Sequence, residues 1–335
     1  MGYPKEITDR IAQLEDKYAI MGQDMKSYLD GLLYAGPTKY WEYLGLDTLL
    51  TLQQPKTDFP DEFIFIVYHQ VNELLFRLSL HEMEQIAHGS RNILPSGEDK
   101  GWKEELTVDY FIARIKRVNS YFEALTKSFE IMVHGMERDQ FLKFRMSLLP
   151  ASGFQSAQYR SVEICATDLI ELVDKDHKEA YRKSDASIEE MFEHLYWKQG
   201  AVELESGKKT LTLRQFEEKY SEQLIQLAYK YKDRNMWRKY KSLSEEDQQN
   251  EELILGLRKL DANVNINWPL MHYKSAVRYL QEDKKEDTGA TGGTNWQQYL
   301  PPRFQKRIFY PELWSETEKA EWGKAWVESV IREKK

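Results

Sequence analysis

The chain has 335 residues, long for one domain but able to hold one large core, and 41% hydrophobic with 13% aromatic content is enough to fill it. A formal net charge of -8, with both signs interspersed, leaves no basic stripe and argues against nucleic acid as a partner. The single cysteine, Cys165, excludes an internal disulfide framework or a thiolate cluster and fits a reducing, cytoplasmic setting. The segment MGYPKEITDR lacks an apolar signal region and the myristoylation pattern, and no run of about 18 apolar residues exists, so neither a lipid anchor nor a membrane span is expected.

Strand signals are scarce and helical periodicity is widespread. Residues 7–34 read as an N-terminal helical arm. Residues 60–88 carry apolar side chains at Phe63, Ile66, Val67, Leu74, Leu78 and Ile86, close to helical spacing. Pro60, followed by Asp61 and Glu62, makes a helix start; with Pro60 first, the cap position falls on Phe59, which has no capping oxygen. Residues 107–148 repeat the pattern through Phe111, Ile115, Val118, Phe122, Leu125, Phe129 and Val133, with Gly135 as an interruption and Pro150 as a break. Third and fourth long helices are expected over 153–177 and 248–282, the latter carrying Leu257, Leu260, Val264, Trp268 and Met271. The more polar stretch 184–246, with a turn-like VELESGKKTLTL, reads as an inserted helical subdomain, and DKKEDTGATGGTNW as a polar loop. The expected architecture is all-α: one domain over 1–335 built as a bundle of long helices, with an arm over 1–50 and the 184–246 insertion.

Of seven histidines, two lie on strongly apolar helical stretches. His69 is one turn after Phe65 and one turn before Glu73, and His272 is one turn after Trp268. A neutral imidazole on a rigid helix suits axial ligation of a haem iron, and equally suits a core histidine bonded to a backbone carbonyl. Arg145 shares an expected helical face with Phe141 and Leu148. Its guanidinium serves either an internal salt bridge or a carboxylate clamp on a ligand. The loop from Gly289 to Thr294 lacks the Gly-Lys-Ser/Thr ending of a phosphate-binding loop and reads as a plain loop or a lid. No histidine follows a glutamate by three positions, which disfavours a di-iron bundle, and no HExxH occurs.

Five ordered segments, YWEYLGLDTLL (40–50), FIFIVYHQVNEL (63–74), FLKFRMSLLPASGFQSAQYR (141–160), WPLMHYKSAVR (268–278) and GATGGTNWQQYL (289–300), together resemble one family, the tryptophan 2,3-dioxygenases, haem enzymes of tryptophan breakdown. The resemblance runs from about Tyr40 to Leu300. It implies haem b, ferrous for activity, with His272 as proximal iron ligand and Trp268, Ser152 and Gly153 beside the haem. It implies His69 on the distal side, contacting the substrate indole N–H, and Phe65, Phe141 and Leu148 as apolar walls. Arg145 matches the arginine that binds the substrate carboxylate, and Thr291 the loop threonine at the same end. Tyr40, Tyr43 and Leu44 match residues that reach a neighbouring subunit's pocket, because family members are homotetramers with an exchanged arm. The implied reaction joins L-tryptophan and O2, cleaving the indole C2–C3 bond to give N-formyl-L-kynurenine.

The sequence departs from the family pattern at Tyr68, Val71, Leu75 and Pro269, and in a longer loop around DKKED. These departures keep open a haem monooxygenase that hydroxylates an aromatic on the same scaffold. A helical protein that binds haem or tryptophan without turnover is a third reading; the intact Arg145 and Thr291 pair favours an amino-acid substrate.

Overall fold

The computed structural model describes residues 2–88, 98–99, 105–202, 208–280, 301–302 and 306–323. The chain divides into two compact units, Met1–Gln54 and Pro55–Lys335. Among the described residues there is no strand longer than an isolated bridge, and no helix is long and apolar enough to cross a membrane.

The first unit contains α1 (Lys5–Ile20), α2 (Met25–Tyr34), α3 (Tyr40–Leu44) and α4 (Leu46–Leu49). The stretch expected as one arm is broken at Gly22, whose φ of 65° is a left-handed conformation that glycine takes without strain. Asp24 then caps α2 by accepting the N–H groups of Lys26 and Ser27, each at 3.1 Å. Tyr18 and Tyr28 stack with ring centroids 4.4 Å apart. None of the four helices has a buried residue, and Ile7, Ile11 and Leu14 are exposed at helical spacing on α1.

In the second unit, α5 (Pro60–Ala87) starts where the Pro-Asp-Glu signal places it, with Phe59 at the cap position and no side-chain cap. Its buried face is not the simple apolar stripe of the sequence. Ile86 is fully buried, but Phe63, Leu74 and Leu78 are exposed, while Tyr68, Asn72, Phe76, Ser79 and Glu82 point inward. Two of the polar groups on that face find partners: Glu82 pairs with Arg114 at 3.3 Å and Ser79 donates to the Leu75 carbonyl. The next long helix, α6 (Val108–His134), follows the periodicity closely. Phe111, Ile115, Val118, Phe122, Leu125, Phe129 and Val133 are all buried, and the helix ends at Gly135. A short α7 (Arg138–Phe144) passes into a 3-10 turn, Arg145–Leu148.

The helix expected over 153–177 is shorter than its periodicity suggested. A 3-10 turn, Gly153–Gln155, precedes α8 (Ala157–Ala166), which starts at the Ser156 cap and ends at the extended Thr167. The chain then leaves the helix: Asp168 is held by Asn235 at 2.9 Å and Arg238 at 2.7 Å, and Val173 bridges Leu195. These long-range bonds outcompete continued helix. Residues 175–248 form α9 (Lys175–Arg182), α10 (Ile188–Glu193), α11 (Tyr196–Gln199), α12 (Leu211–Tyr231), α13 (Met236–Lys241) and α14 (Glu245–Gln248). Phe192, Leu213, Phe216, Leu224 and Trp237 of this stretch join the same core as α5, α6 and α8.

The fourth expected helix exists but is interrupted. It consists of α15 (Glu251–Ala262), a π-helical turn Asn263–Asn267, and α16 (Trp268–Leu280). Pro269 has no N–H for the Asn265 carbonyl, so the regular ladder cannot pass this point, and the wider turn carries the chain across. Side-chain amides bind the turn. Asn263 donates to Asn119 of α6 at 3.0 Å, Asn265 to Asp261 at 2.7 Å and Asn267 to Asn263 at 2.9 Å. Such π turns recur at functional sites, and this one directly precedes the segment that carries Trp268 and His272.

The close approach of α15 to α6 depends on Gly256, where a β-carbon would lie 2.9 Å from Ile115 Cγ2. Its carbonyl also accepts from Asn119 Nδ2 at 3.0 Å. Gly256→Ala is expected to overpack this seam and cost about 1–3 kcal/mol, seen as a lower urea midpoint. An unchanged midpoint would show that the seam opens freely.

Candidate active site

One cavity of about 340 Å³ lies inside the second unit, and its wall includes Phe65, His69, Phe141, Arg145, Leu148, Ser152, Gly153, Trp268 and His272. Nine of the residues singled out in the sequence are thereby brought together from α5, α7, the two 3-10 turns and α16. Thr291 lies outside the described residues. Tyr40, Tyr43 and Leu44 lie on α3 of the first unit and are exposed.

The α5 wall is set by helical spacing. Phe65 and His69 are one turn apart, with ring centroids at 4.0 Å. His69 Nδ1 lies 2.7 Å from the Phe65 carbonyl oxygen. A carbonyl only accepts, so Nδ1 carries the proton and Nε2 of the neutral ring is left as an acceptor. Burial lowers the His69 pKa, against the Phe65 carbonyl and the Glu73 carboxylate, so the neutral form is favoured. Glu73, one turn further on, is fixed by Gln158 of α8, which donates to its carboxylate at 2.8 Å and its carbonyl at 2.9 Å.

Three phenylalanines form an apolar box beside His69. Phe65 lies 6.3 Å from Phe141 and 5.8 Å from Phe144, and the last two meet edge to face at 5.6 Å. Phe141 also packs on Tyr279 of α16 at 4.6 Å. The face expected for Phe141, Arg145 and Leu148 is not one α-helical face, because α7 stops at Phe144. Arg145 and Leu148 share a side of the 3-10 turn instead, where residues three apart eclipse. Arg145 is buried, and burial alone lowers its pKa, far too little to discharge a guanidinium near neutral pH.

Ser152 holds the next turn, its hydroxyl facing the Phe154 N–H at 3.4 Å while Gln155 accepts from the Ser152 N–H at 3.2 Å. At Gly153 a β-carbon would meet no protein atom within 4 Å, so the wall is open beside the cavity.

On α16, Trp268 packs against Phe129 at 4.6 Å and Phe76 at 5.7 Å, which locks the first turn. One turn on, His272 meets Phe129 at 5.9 Å, and its ring makes no hydrogen bond among the described residues. By surface area His272 is exposed, and it lines the cavity. Burial, with His69 adding repulsion, pushes the imidazole down to about 4.

Sequence reasoning gave no role to several wall residues, notably Tyr68, Asn72, Arg160, Tyr196 and Arg307. Tyr68 and Asn72 were legible as polar positions on the inner face of α5. Arg307 carried no local signal.

Comparison with known proteins places residues 32–262 on the family model described as Tryptophan 2,3-dioxygenase. A tryptophan 2,3-dioxygenase from Ruegeria sp. is 36% identical over 132 residues, covering 39% of this chain and 42% of that protein. One from Xenopus laevis is 34% identical over 157 residues, covering 45% and 35%. One from Ruegeria pomeroyi is 27% identical over 288 residues, covering 84% and 92%. The first two alignments thus span less than half of those relatives' length.

Proposed function

The chain belongs to the tryptophan 2,3-dioxygenase family, and from that premise we propose that it is a haem-dependent oxidoreductase that opens the indole C2–C3 bond of L-tryptophan with O2, giving N-formyl-L-kynurenine. The observation that carries this reading is a single cavity wall bearing a neutral His69, a buried Arg145, an aromatic box and His272.

The donor set suits haem b. Among the described residues no three histidine, cysteine or acidic side chains converge as a protein-only metal site. His272 would hold the haem iron, whose other nitrogen ligands the haem ring would itself supply. His272 offers a neutral ring with no competing hydrogen bond among the described residues, and the open wall at Gly153 leaves space. Trp268, locked on Phe129, would fix the turn that presents His272, and Ser152 would fix the turn at Gly153. Haem, when bound in the ferrous state, supplies the oxygen chemistry.

The protein's part is binding and orientation. Arg145 receives the substrate carboxylate through its planar fork, and Thr291 is assigned the same end by resemblance. Phe65, Phe141 and Leu148 hold the indole and exclude water from it. His69 Nε2 accepts the indole N–H. That hydrogen bond aligns the ring; indole N–H is too weak an acid for His69 to be required as a base. His69→Ala is therefore expected to lower kcat/KM for L-tryptophan by only about 3- to 10-fold, the worth of one neutral hydrogen bond. It is also expected to erase discrimination against 1-methyl-L-tryptophan, which has no indole N–H. Loss of all turnover would instead make His69 a proton-transfer group.

The active form is proposed to be a homotetramer in which Tyr40, Tyr43 and Leu44 reach a neighbouring subunit. The exposed apolar residues of the first unit, and Phe63, Leu74 and Leu78 on α5, support an assembly that covers them. The 184–246 stretch is proposed as a helical insertion of the family scaffold. A reducing, cytoplasmic location is supported by the lone buried Cys165. The decisive experiment reacts reduced, haem-loaded protein with L-tryptophan and isotopically labelled O2. Two labelled oxygens in one ring-opened product are expected; a single one would make the enzyme a monooxygenase.

A further inference from the structure

A second cationic group on the cavity wall is left unused by that reading. Arg160 of α8 and Arg307 both line the cavity, 8% and 7% exposed. Between them sits one carboxylate, Glu163, which is fully buried. It accepts from Arg160 Nη1 at 3.1 Å, Arg307 Nη1 at 2.7 Å and the Tyr196 hydroxyl at 2.5 Å. Arg307 is otherwise committed: Nε donates to Asn265 Oδ1, and Nη2 to the Tyr159 hydroxyl at 3.1 Å and the Val264 carbonyl at 3.3 Å. Arg160 is not. Its Nη1 also meets the Tyr196 hydroxyl at 2.7 Å, but Nε is buried with no partner among the described residues.

Among the described residues Arg160 pairs with no acid other than Glu163. Rings of Tyr159, Trp197, Phe154 and Tyr196 lie 5.2–5.7 Å from its guanidinium carbon. A second buried acid, Asp261, accepts from the N–H groups of Phe309 and Tyr310, from Trp314 Nε1 and from Asn265. Two guanidiniums therefore share one directly paired carboxylate, and one buried donor, Arg160 Nε, is unmet. A buried guanidinium donor left unmet is costly unless an acceptor completes it. The planar fork of Arg favours a carboxylate.

We propose that Arg160, backed by Arg307, receives a carboxylate within the cavity, and that this carboxylate is a haem propionate. The assignment rests on the haem reading above, in which Arg145 already serves the amino-acid carboxylate, so haem itself brings the further carboxylates that need a cationic partner.

The test compares haem with haem dimethyl ester, which keeps the iron centre and lacks both charges. Transfer of each from the protein to excess globin scavenger is timed, and L-tryptophan binding is measured in parallel. Wild type is expected to retain haem about tenfold longer than the ester, in line with the worth of a charged hydrogen bond. Arg160→Gln is expected to lose haem about tenfold faster than wild type and to treat the two alike, with L-tryptophan binding unchanged. Arg160→Lys, which keeps the charge, is expected to retain part of the preference, and Arg145→Ala all of it. Equal retention of haem and ester by wild type, which needs no variant to fold, overturns the proposal. An Arg160→Gln protein that keeps the preference but binds L-tryptophan tenfold more weakly overturns it as well, and moves the site to a free amino acid. A wild type that binds neither form fails the haem reading itself, a result distinct from equal binding of both.

Discussion

Arg145→Ala is expected to lower kcat/KM for L-tryptophan by roughly 30-fold to several-thousand-fold, the effect of about 2–5 kcal/mol for truncating one partner of a buried charge pair. The loss should fall mainly on KM, because a carboxylate clamp acts on substrate and transition state alike. Arg145 is buried on a 3-10 turn whose other cavity residue, Leu148, is apolar, so water cannot readily replace the guanidinium. Haem retention should be unaffected, and indole, which has no carboxylate, should bind the variant and the wild type equally. A variant that keeps wild-type KM for L-tryptophan would remove Arg145 from substrate binding and leave it a structural cation.

His272→Ala is expected to abolish stable haem binding, visible as loss of the Soret band after desalting, while helical content and thermal midpoint stay near wild type. The second half follows from the environment of His272: the ring makes no hydrogen bond among the described residues and its surface faces a cavity, so little packing is lost. A normal Soret band in the variant would exclude His272 as the residue that holds the haem iron. The same residue sets a pH dependence. Its folded pKa, about 4, lies below the unfolded value of 6.5. Between those values the unfolded chain takes up a proton that the folded chain refuses, so stability falls as pH drops through that window. The ring meanwhile stays neutral and able to ligate. Haem should therefore remain bound as pH falls past 6.5 and be released only as it approaches about 4. Release centred near 6.5 would mean an imidazole with ordinary water access.

Much of this site was readable one element at a time. The Pro60 start of α5, the buried periodicity of α6 from Phe111 to Val133, and the one-turn spacings of Phe65 to His69 and Trp268 to His272 are local properties of a 3.6-residue helix. The motif segments pointed to nine residues that line one cavity. What failed was also local in form but tertiary in cause. The helix expected over 153–177 ends at Ala166 because Asp168 finds partners in Asn235 and Arg238, far along the chain. The apolar positions Phe63, Leu74 and Leu78 face outward because the packed side of α5 is the polar-aromatic one.

By itself, then, the sequence determined the helical class, the start of α5, the resemblance, and the residue types available for binding an aromatic amino acid beside a haem. Hydrophobic period, capping residues and prolines act over a few residues, so they leave their mark in the order of the letters. Only the tertiary structure decided that His69 on α5 and His272 on α16 line the same cavity, that Nδ1 of His69 is spent on the Phe65 carbonyl, and that Arg160 meets Arg307 across Glu163. Those facts depend on how distant helices pack and on where burial removes water, and neither leaves a periodic trace in one chain's sequence.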